Sequence, residues 1–351
     1  MSFNTYIGWD IGGAHLKVAS IDPDGGVMFA AQLATPLWEG LASLEKAMSK
    51  MRKQITEDSV DSVTHTITMT AELADIFKDR HTGVKELTKF LADQFENDPY
   101  YLYAGKSGLI QANKVNFHIA DIASANWHAT ASFVAQHLDD GVLIDIGSTT
   151  TDIIPFASGK LANIGNTDHE RLRHNELVYT GIIRTPVMAV VNEMFCDGQW
   201  QNIAAENFST MADIYRLTDE LNEQDDMMLA ADGAGKTKCD SARRLARMVG
   251  LDLQDENDIP HVKDMAEHVA GSQLERINGS LLKILSRPDL KKISCLVGAG
   301  AGRFLVCKLA SRNNLRYIDF TDFLTYPKED EQRVLSCAAA VSVAQIARVA
   351  S

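Results

Sequence analysis

The chain begins with an apolar run at residues 6–10, where no polar position interrupts until Asp10; this pattern predicts a short buried strand. Residues 15–21 and 27–33 predict two more strands. Between them, Asp22-Pro-Asp-Gly-Gly26 supplies residues that fix φ or tolerate positive φ. Three strands on tight turns make an antiparallel meander. Over residues 41–55 the period changes, and Leu41, Leu44, Ala47, Met48, Met51 and Ile55 recur at helical spacing. Further strands are predicted at 63–69, 100–103 and 115–119, and helices at 84–95 and 125–138.

A second strand–turn–strand, GVLIDIGSTTTDIIPF, starts at Gly141. Helical patterns dominate residues 193–285. From Ile293, ISCLVGAGAGRFLVCKLA reads as strand, Gly-rich turn, helix; 316–320 predicts a last strand and 334–349 an Ala/Val-rich closing helix. This order predicts an α/β protein of two lobes. The first takes residues 1–139 plus 333–351, and the second takes 140–332 with a helical insertion over 193–285. The length of 351 residues suits two domains, and 45% hydrophobic with 23% charged residues excludes a disordered chain.

Charge narrows the function. The formal net charge is -13, and no dense Lys/Arg cluster appears; Arg243, Arg244 and Arg247 read as the solvated side of a helix. A general nucleic-acid binder is therefore not expected. An acidic chain binds phosphate only where backbone N–H groups, a metal or a local Lys/Arg offset its field. The five cysteines (Cys196, Cys239, Cys295, Cys307, Cys337) are odd in number, scattered and without a CxxC, which predicts a reducing cytoplasm. The N-terminus runs directly into a strand pattern, so no signal peptide is expected, and no apolar run approaches the ~20 residues of a membrane span.

One internal repeat carries the candidate chemistry. Asp10-Ile-Gly12-Gly13 and Asp145-Ile-Gly147-Ser148 each follow an apolar strand and precede another, with Lys17 and Asp152 at equivalent places. Gly12 and Gly13 allow a tight turn and close backbone approach, and successive turn N–H groups form an anion cradle. In the second turn Ser148, Thr149, Thr150 and Thr151 add hydroxyl donors. Asp10 and Asp145 are unsuited to touching phosphate and suited to holding Mg²⁺ through water. Lys17 either reaches a phosphate or points to solvent, and Asp152 either joins the metal site or caps the turn. The repeat predicts two hairpins that face each other.

Gly298, Gly300 and Gly302 form a third Gly-rich turn before a helix. A dinucleotide fingerprint would need glycine where Arg303 stands, so the turn reads as a nucleotide- or aryl-holding element, or as close helix–strand packing. Gly233-Ala-Gly-Lys-Thr237 lacks the first glycine of a P-loop, Ala230 taking its place, and follows a helical run. It reads as a loop, with Lys236 available to a phosphate.

DIGGAHLK, DIGSTTTD and LVGAGAGR resemble the two phosphate motifs and the adenosine motif of the actin, sugar kinase and heat-shock ATPase superfamily. That resemblance implies a two-lobed, actin-like (ribonuclease H-like) ATPase fold with a central cleft. MTAELADIFKDRHTGV, SANWHATA, ELVYTGIIRTPV and ADGAGKT further resemble the hydantoinase/oxoprolinase-like proteins found with tetrahydromethanopterin-linked one-carbon transfer. This narrower resemblance implies an Mg²⁺-dependent transferase. It would join a furanylmethyl diphosphate to γ-glutamyltyramine in methanofuran-type cofactor biosynthesis, releasing pyrophosphate.

On that chemistry Glu72, following a strand, is the candidate base, or else an ordinary acid at a helix start. Arg184 is the candidate for the diphosphate or glutamyl carboxylate, or else a surface ion pair. Asn126 and Trp127 line the substrate pocket, or Trp127 is core; His128 reads as structural. The competing activity is an ATP-dependent small-molecule kinase or ATPase of the same fold, with ATP as second ligand; a nucleotide-switched binding module is the third. The expected partner is a small phosphorylated molecule. The sequence leaves the oligomeric state open, a homodimer included.

Overall fold

In the computed structural model, which describes residues 4–55, 62–96, 98–196, 198–253 and 259–351, the opening run becomes strand β1 (Asn4–Ile11). It is followed by β2 (His15–Ile21), β3 (Val27–Ala34), α1 (Leu41–Ile55), β4 (Ser62–Met69), α2 (Arg80–Gln94), β5 (Tyr100–Tyr103), β6 (Leu109–Gln111), α3 (Ile119–Ile122) and α4 (Asn126–Ala135). The middle of the chain forms β7 (Gly141–Ile146), β8 (Thr151–Ala157), β9 (Lys160–Leu161), α5 (Asp168–Arg173), β10 (Leu177–Val178), β11 (Glu193–Cys196), β12 (Gln199–Asn202), α6 (Met211–Leu217), α7 (Lys238–Arg247) and α8 (Ile259–Leu285). The last elements are β13 (Cys295–Ala299), α9 (Arg303–Arg312), β14 (Arg316–Asp319), α10 (Glu331–Ser336) and α11 (Ala338–Ala350).

The chain divides into two units: Met1–Leu143 with Ile154–Arg171 and Ile318–Ser351, and Ile144–Ile153 with Leu172–Tyr317. The first holds a sheet of order β3-β2-β1-β4-β5-β6. The meander β1-β2-β3 is antiparallel, β4 joins β1 in parallel, and β5 joins β4 in parallel. Both faces of β1 are covered, which is why its sequence reads as a continuous apolar run. Ile7, Trp9 and Ile11 share one core with residues of α1 and α2. Tyr6 shares another with α11 residues on the opposite face. Trp9 is fully buried, and its indole N–H donates to His65 Nδ1 at 3.1 Å.

α11 can lie this close to β1 because position 8 is glycine. A Cβ there would stand 1.9 Å from the Ala340 carbonyl oxygen. Its register neighbours Ala19 and Thr66 are also small, so a shallow groove crosses the sheet and the Ala-rich helix fills it. Among the described residues no single helix is long and apolar enough to cross a membrane.

The second sheet has the order β10-β8-β7-β13-β14, with β9 beside β8, and β11 and β12 form a separate hairpin. Val142, Leu143, Ile144 and Ile146 of β7 are fully buried, as the unbroken apolar pattern requires. Beside this sheet, α6, α7 and α8 pack on one another.

Four local expectations are corrected. Residues 115–119 are not a strand: Val115 enters the core from a 3-10 turn, Ile119 starts α3, and the extra strand is β6. Within 193–285 the chain first makes the β11–β12 hairpin, Phe195 stacking edge-on against Trp200. The closing helix is two helices bent by 96°. Arg244 is not on a solvated face: it is fully buried, because Asp213 takes its guanidinium at 2.6 Å and Asp232 at 3.1 Å.

Candidate functional site

In the first unit, β1 and β4 run parallel and end together, so the segments that leave their carboxyl ends share one place, the usual ligand end of such a sheet. Asp10 is 4% exposed, and its Oδ1 is buried with no hydrogen-bond partner among the described residues. Directly opposite in register are Lys17 on β2 and Thr68 on β4, on the same sheet face as Asp10. The Thr68 hydroxyl is likewise buried and unpartnered among the described residues. Burial pushes the Asp10 pKa up, and the Lys17 charge works against that rise. Two orphaned oxygens on one face fit a hydrated cation or an ordered water, which would satisfy both.

The two turns of the repeat close in the same way. The Gly12 N–H donates to the His15 carbonyl at 3.0 Å, and the Gly147 N–H donates to the Thr150 carbonyl at 2.9 Å. The N–H groups of Gly13, Ala14, Ser148 and Thr149 have no acceptor among the described residues, as an anion cradle requires. The space beside Gly13 is open. Ser148 Oγ is buried with no partner among the described residues.

Glu72 lies three residues beyond β4, in a 3-10 turn that α2 covers. A Cβ at Gly83 of that helix would come within 2.5 Å of the Glu72 carbonyl oxygen, so glycine lets the helix press the turn into place. The carboxyl is 1% exposed as a residue. Oε1 accepts from Ser124 Oγ at 2.7 Å, while Oε2 is buried and unpartnered among the described residues. Burial raises its pKa to about 7; the Ser124 hydrogen bond, a hydrogen bond from its own backbone N–H and the Arg80 charge pull it down, and Asp168 pushes it up.

Trp127 is buried at the start of α4, and its backbone N–H donates to Asn126 Oδ1 at 2.8 Å. The Arg171 guanidinium stacks 4.1 Å from the Trp127 ring. Asp168 links Arg171 at 3.6 Å to Arg80 at 2.6 Å. His128 is held by Tyr103 Oη at 2.8 Å and Ser132 Oγ at 3.1 Å. Glu72, Asn126 and Trp127 are thus drawn into one buried neighbourhood of the first unit.

The second unit gathers another set. The segment after β10 folds over the second turn: Ile182 N–H donates to the Gly147 carbonyl at 3.0 Å, and Arg184 N–H to the Ser148 carbonyl at 2.9 Å. The Arg184 side chain is exposed. Gly181 fits because a Cβ there would strike Ser148 and Thr149 backbone at 2.5 Å. Gln273 of α8 braces the segment from behind, donating to Thr180 Oγ1 at 2.7 Å and to the Gly181 carbonyl at 2.9 Å.

The Gly-rich turn meets the same hairpin. The Gly302 N–H donates to the Ile146 carbonyl at 2.9 Å. A Cβ at Gly300, whose φ is 76°, would lie 2.3 Å from Asp145 Oδ1; one at Gly298 would lie 2.7 Å from the Tyr317 ring. Close packing accounts for all three glycines, and it seats the start of α9 beside Asp145.

Lys236 is elsewhere in this unit. Its ammonium donates to the Asp226 carbonyl at 2.8 Å and pairs with the Asp226 carboxylate at 3.2 Å. Gly235 and Asp232 of the same loop bind Arg244, and Thr237 caps α7. ADGAGKT is therefore a loop wired to a buried arginine.

Sequence reasoning missed Thr68, Ser124, Asp168, Arg171 and Gln273. The available signals were a threonine inside an apolar strand and a serine preceding a helix. Among the described residues no group of three or more His, Cys, Asp or Glu side chains is placed to hold a metal. Mg²⁺ does not require one, since it keeps several waters and takes one or two carboxylates plus substrate phosphates.

A hydantoinase/oxoprolinase family model matches residues 63–345. The chain is 32% identical over 288 residues to the (4-{4-[2-(γ-L-glutamylamino)ethyl]phenoxymethyl}furan-2-yl)methanamine synthase of Methanocaldococcus jannaschii, covering 82% of this chain and 84% of that protein. It is 39% identical over 124 residues to the synthase of the same name from Methanococcus vannielii, covering 35% of this chain and 55% of that protein. Among solved structures, a nucleotide-free acetone carboxylase matches 97% of this chain and 70% of its own, with a TM-score of 0.50 at 10% identity, a likeness of fold alone. The fold is the actin-like α/β fold that the resemblance implied, and the chain belongs to the hydantoinase/oxoprolinase family.

Proposed function

We propose that this protein is a cytoplasmic transferase that condenses a furanylmethyl diphosphate with γ-glutamyltyramine and releases pyrophosphate. The step belongs to methanofuran-type cofactor biosynthesis for tetrahydromethanopterin-linked one-carbon metabolism. The observation that carries this reading is the 32% identity, over 82% of the chain, with a synthase whose name describes the product bond, a phenoxymethyl ether on a furan. The five cysteines are odd in number, scattered and without a CxxC, which supports the reducing compartment.

The chemistry suits the residues present. The furan ring and its oxygen delocalise positive charge on the CH₂ as its bond to the diphosphate oxygen breaks, with the electron pair leaving on the diphosphate. N–H donors of the Gly13–Ala14 and Ser148–Thr149 turns, with the Ser148 hydroxyl, are suited to the growing negative charge. Asp10, with its orphaned buried oxygen, and Asp145 would hold Mg²⁺ through water; when bound, the ion neutralises charge on the pyrophosphate. Arg184 serves the diphosphate or the glutamyl carboxylate.

The phenol has an unperturbed pKa of ~10, so proton removal needs help near neutrality. The Glu72 carboxylate, with a pKa near 7, takes the phenolic proton on Oε2 as the phenol oxygen bonds to the CH₂. Trp127 and Asn126 shape the aryl side of the pocket.

The test is cofactor dependence. Given preformed furanylmethyl diphosphate, turnover will proceed without ATP, cease with EDTA and return with Mg²⁺. A strict ATP requirement with ADP as product would replace this reading by a kinase.

A further inference from the structure

We infer that Ser124 is the positioning residue of Glu72: it occupies Oε1, favours the charged carboxylate and leaves Oε2 as the one oxygen without a hydrogen bond among the described residues, the oxygen that is left for a substrate donor. The inference rests on Glu72 being the base proposed above.

Ser124 occupies a conformation it would not choose. Its φ is 52°, in the left-handed region that is unfavourable for serine. Nor is its hydroxyl used to cap the following helix, since the residue preceding α4 is Ala125. The hydroxyl has one proton to donate, and it goes 52 residues away in sequence to Glu72 Oε1, at 2.7 Å. Ser124 is 7% exposed and Glu72 is 1% exposed, so water does not readily replace either partner.

Other charges face Glu72 from two elements. Arg80 on α2 favours the ionised carboxylate and Asp168 on α5 opposes it. Arg80 and Arg171 both pair with Asp168 and so offset its opposition. Two neutral donors also act on the carboxylate, the Ser124 hydroxyl and the backbone N–H of Glu72 itself, and Ser124 makes the larger contribution. A hydroxyl that donates to a buried carboxylate stabilises the charged form, so its removal raises the carboxyl pKa.

The experiment compares wild type with Ser124→Gly and Ser124→Ala. Glycine relieves the backbone strain while losing the hydroxyl; alanine loses the hydroxyl and keeps the strain. The Glu72 carboxyl is followed by carbon-13 NMR in pH titration, its resonance assigned by its loss in Glu72→Gln. Both variants will move the Glu72 midpoint up by about one pH unit, the effect of one lost hydrogen bond to a charged group. Ser124→Gly will be more stable than Ser124→Ala, which loses the same hydrogen bond and keeps the strained φ.

The acid limb of kcat/KM will move with the NMR midpoint, giving a loss of about fivefold at neutral pH that closes near pH ~9. An unmoved Glu72 midpoint in Ser124→Gly would overturn the inference. A midpoint that moves while the rate profile stays in place would confirm the hold of Ser124 on Glu72 and remove Glu72 as the base.

Discussion

Asp10→Asn and Asp145→Asn will each lower turnover by roughly 10²–10³-fold and leave the thermal midpoint nearly unchanged. Both changes keep the shape of the side chain and remove the charge that a metal requires. The Asp10 carboxyl is buried, and burial raises its pKa, so its ionised form costs stability in the folded protein. The sign follows from linkage. A raised folded pKa gives a contribution that is full below the unfolded value and lost as pH rises through the folded one. Asparagine at position 10 will therefore hold or improve stability once the pH exceeds the raised Asp10 pKa. Steady-state rates and thermal melts at two pH values check both halves. Full activity in either variant would remove that residue from the metal site.

Glu72→Gln will reduce turnover at neutral pH by about 10²-fold or more, and the deficit will shrink as pH approaches the phenol's own pKa of ~10. The same variant will be more stable than wild type under alkaline conditions. Glu72 titrates near 7 in the folded protein against an ordinary 4.5. That gap corresponds to ~3 kcal/mol, present below the ordinary carboxylate range and lost as pH rises through 7. Wild type will lose this increment across that window and the glutamine variant will not. Denaturant melts over the same pH range measure it. A rate loss independent of pH would remove Glu72 as the base.

The sequence made the elements legible wherever the signal was local. The meander, α1 and β5 follow from period and turn residues, and the repeated Asp-Ile-Gly turns are closed by equivalent hydrogen bonds. What escaped depends on partners distant in sequence. Arg244 looked solvated because Asp213, which buries it, is 31 residues earlier. Ser124 was given no role because its left-handed φ and its bond to Glu72 are tertiary facts. Val115 and Ile119 satisfied a strand pattern that the core satisfies with a 3-10 turn and a helix. Glu72 was legible as an acid after a strand; its pKa near 7 was not, because burial by α2 and the Ser124 segment sets it.

The reaction itself is the most direct measurement. The purified protein is incubated with furanylmethyl diphosphate, γ-glutamyltyramine and Mg²⁺ in the absence of ATP, and the mixture is resolved by mass spectrometry. The prediction is an ether whose mass is the sum of the two substrates less pyrophosphoric acid, with one pyrophosphate released per ether formed. Unchanged substrates in that mixture, with a phosphorylated product and ADP appearing only when ATP is added, would contradict it.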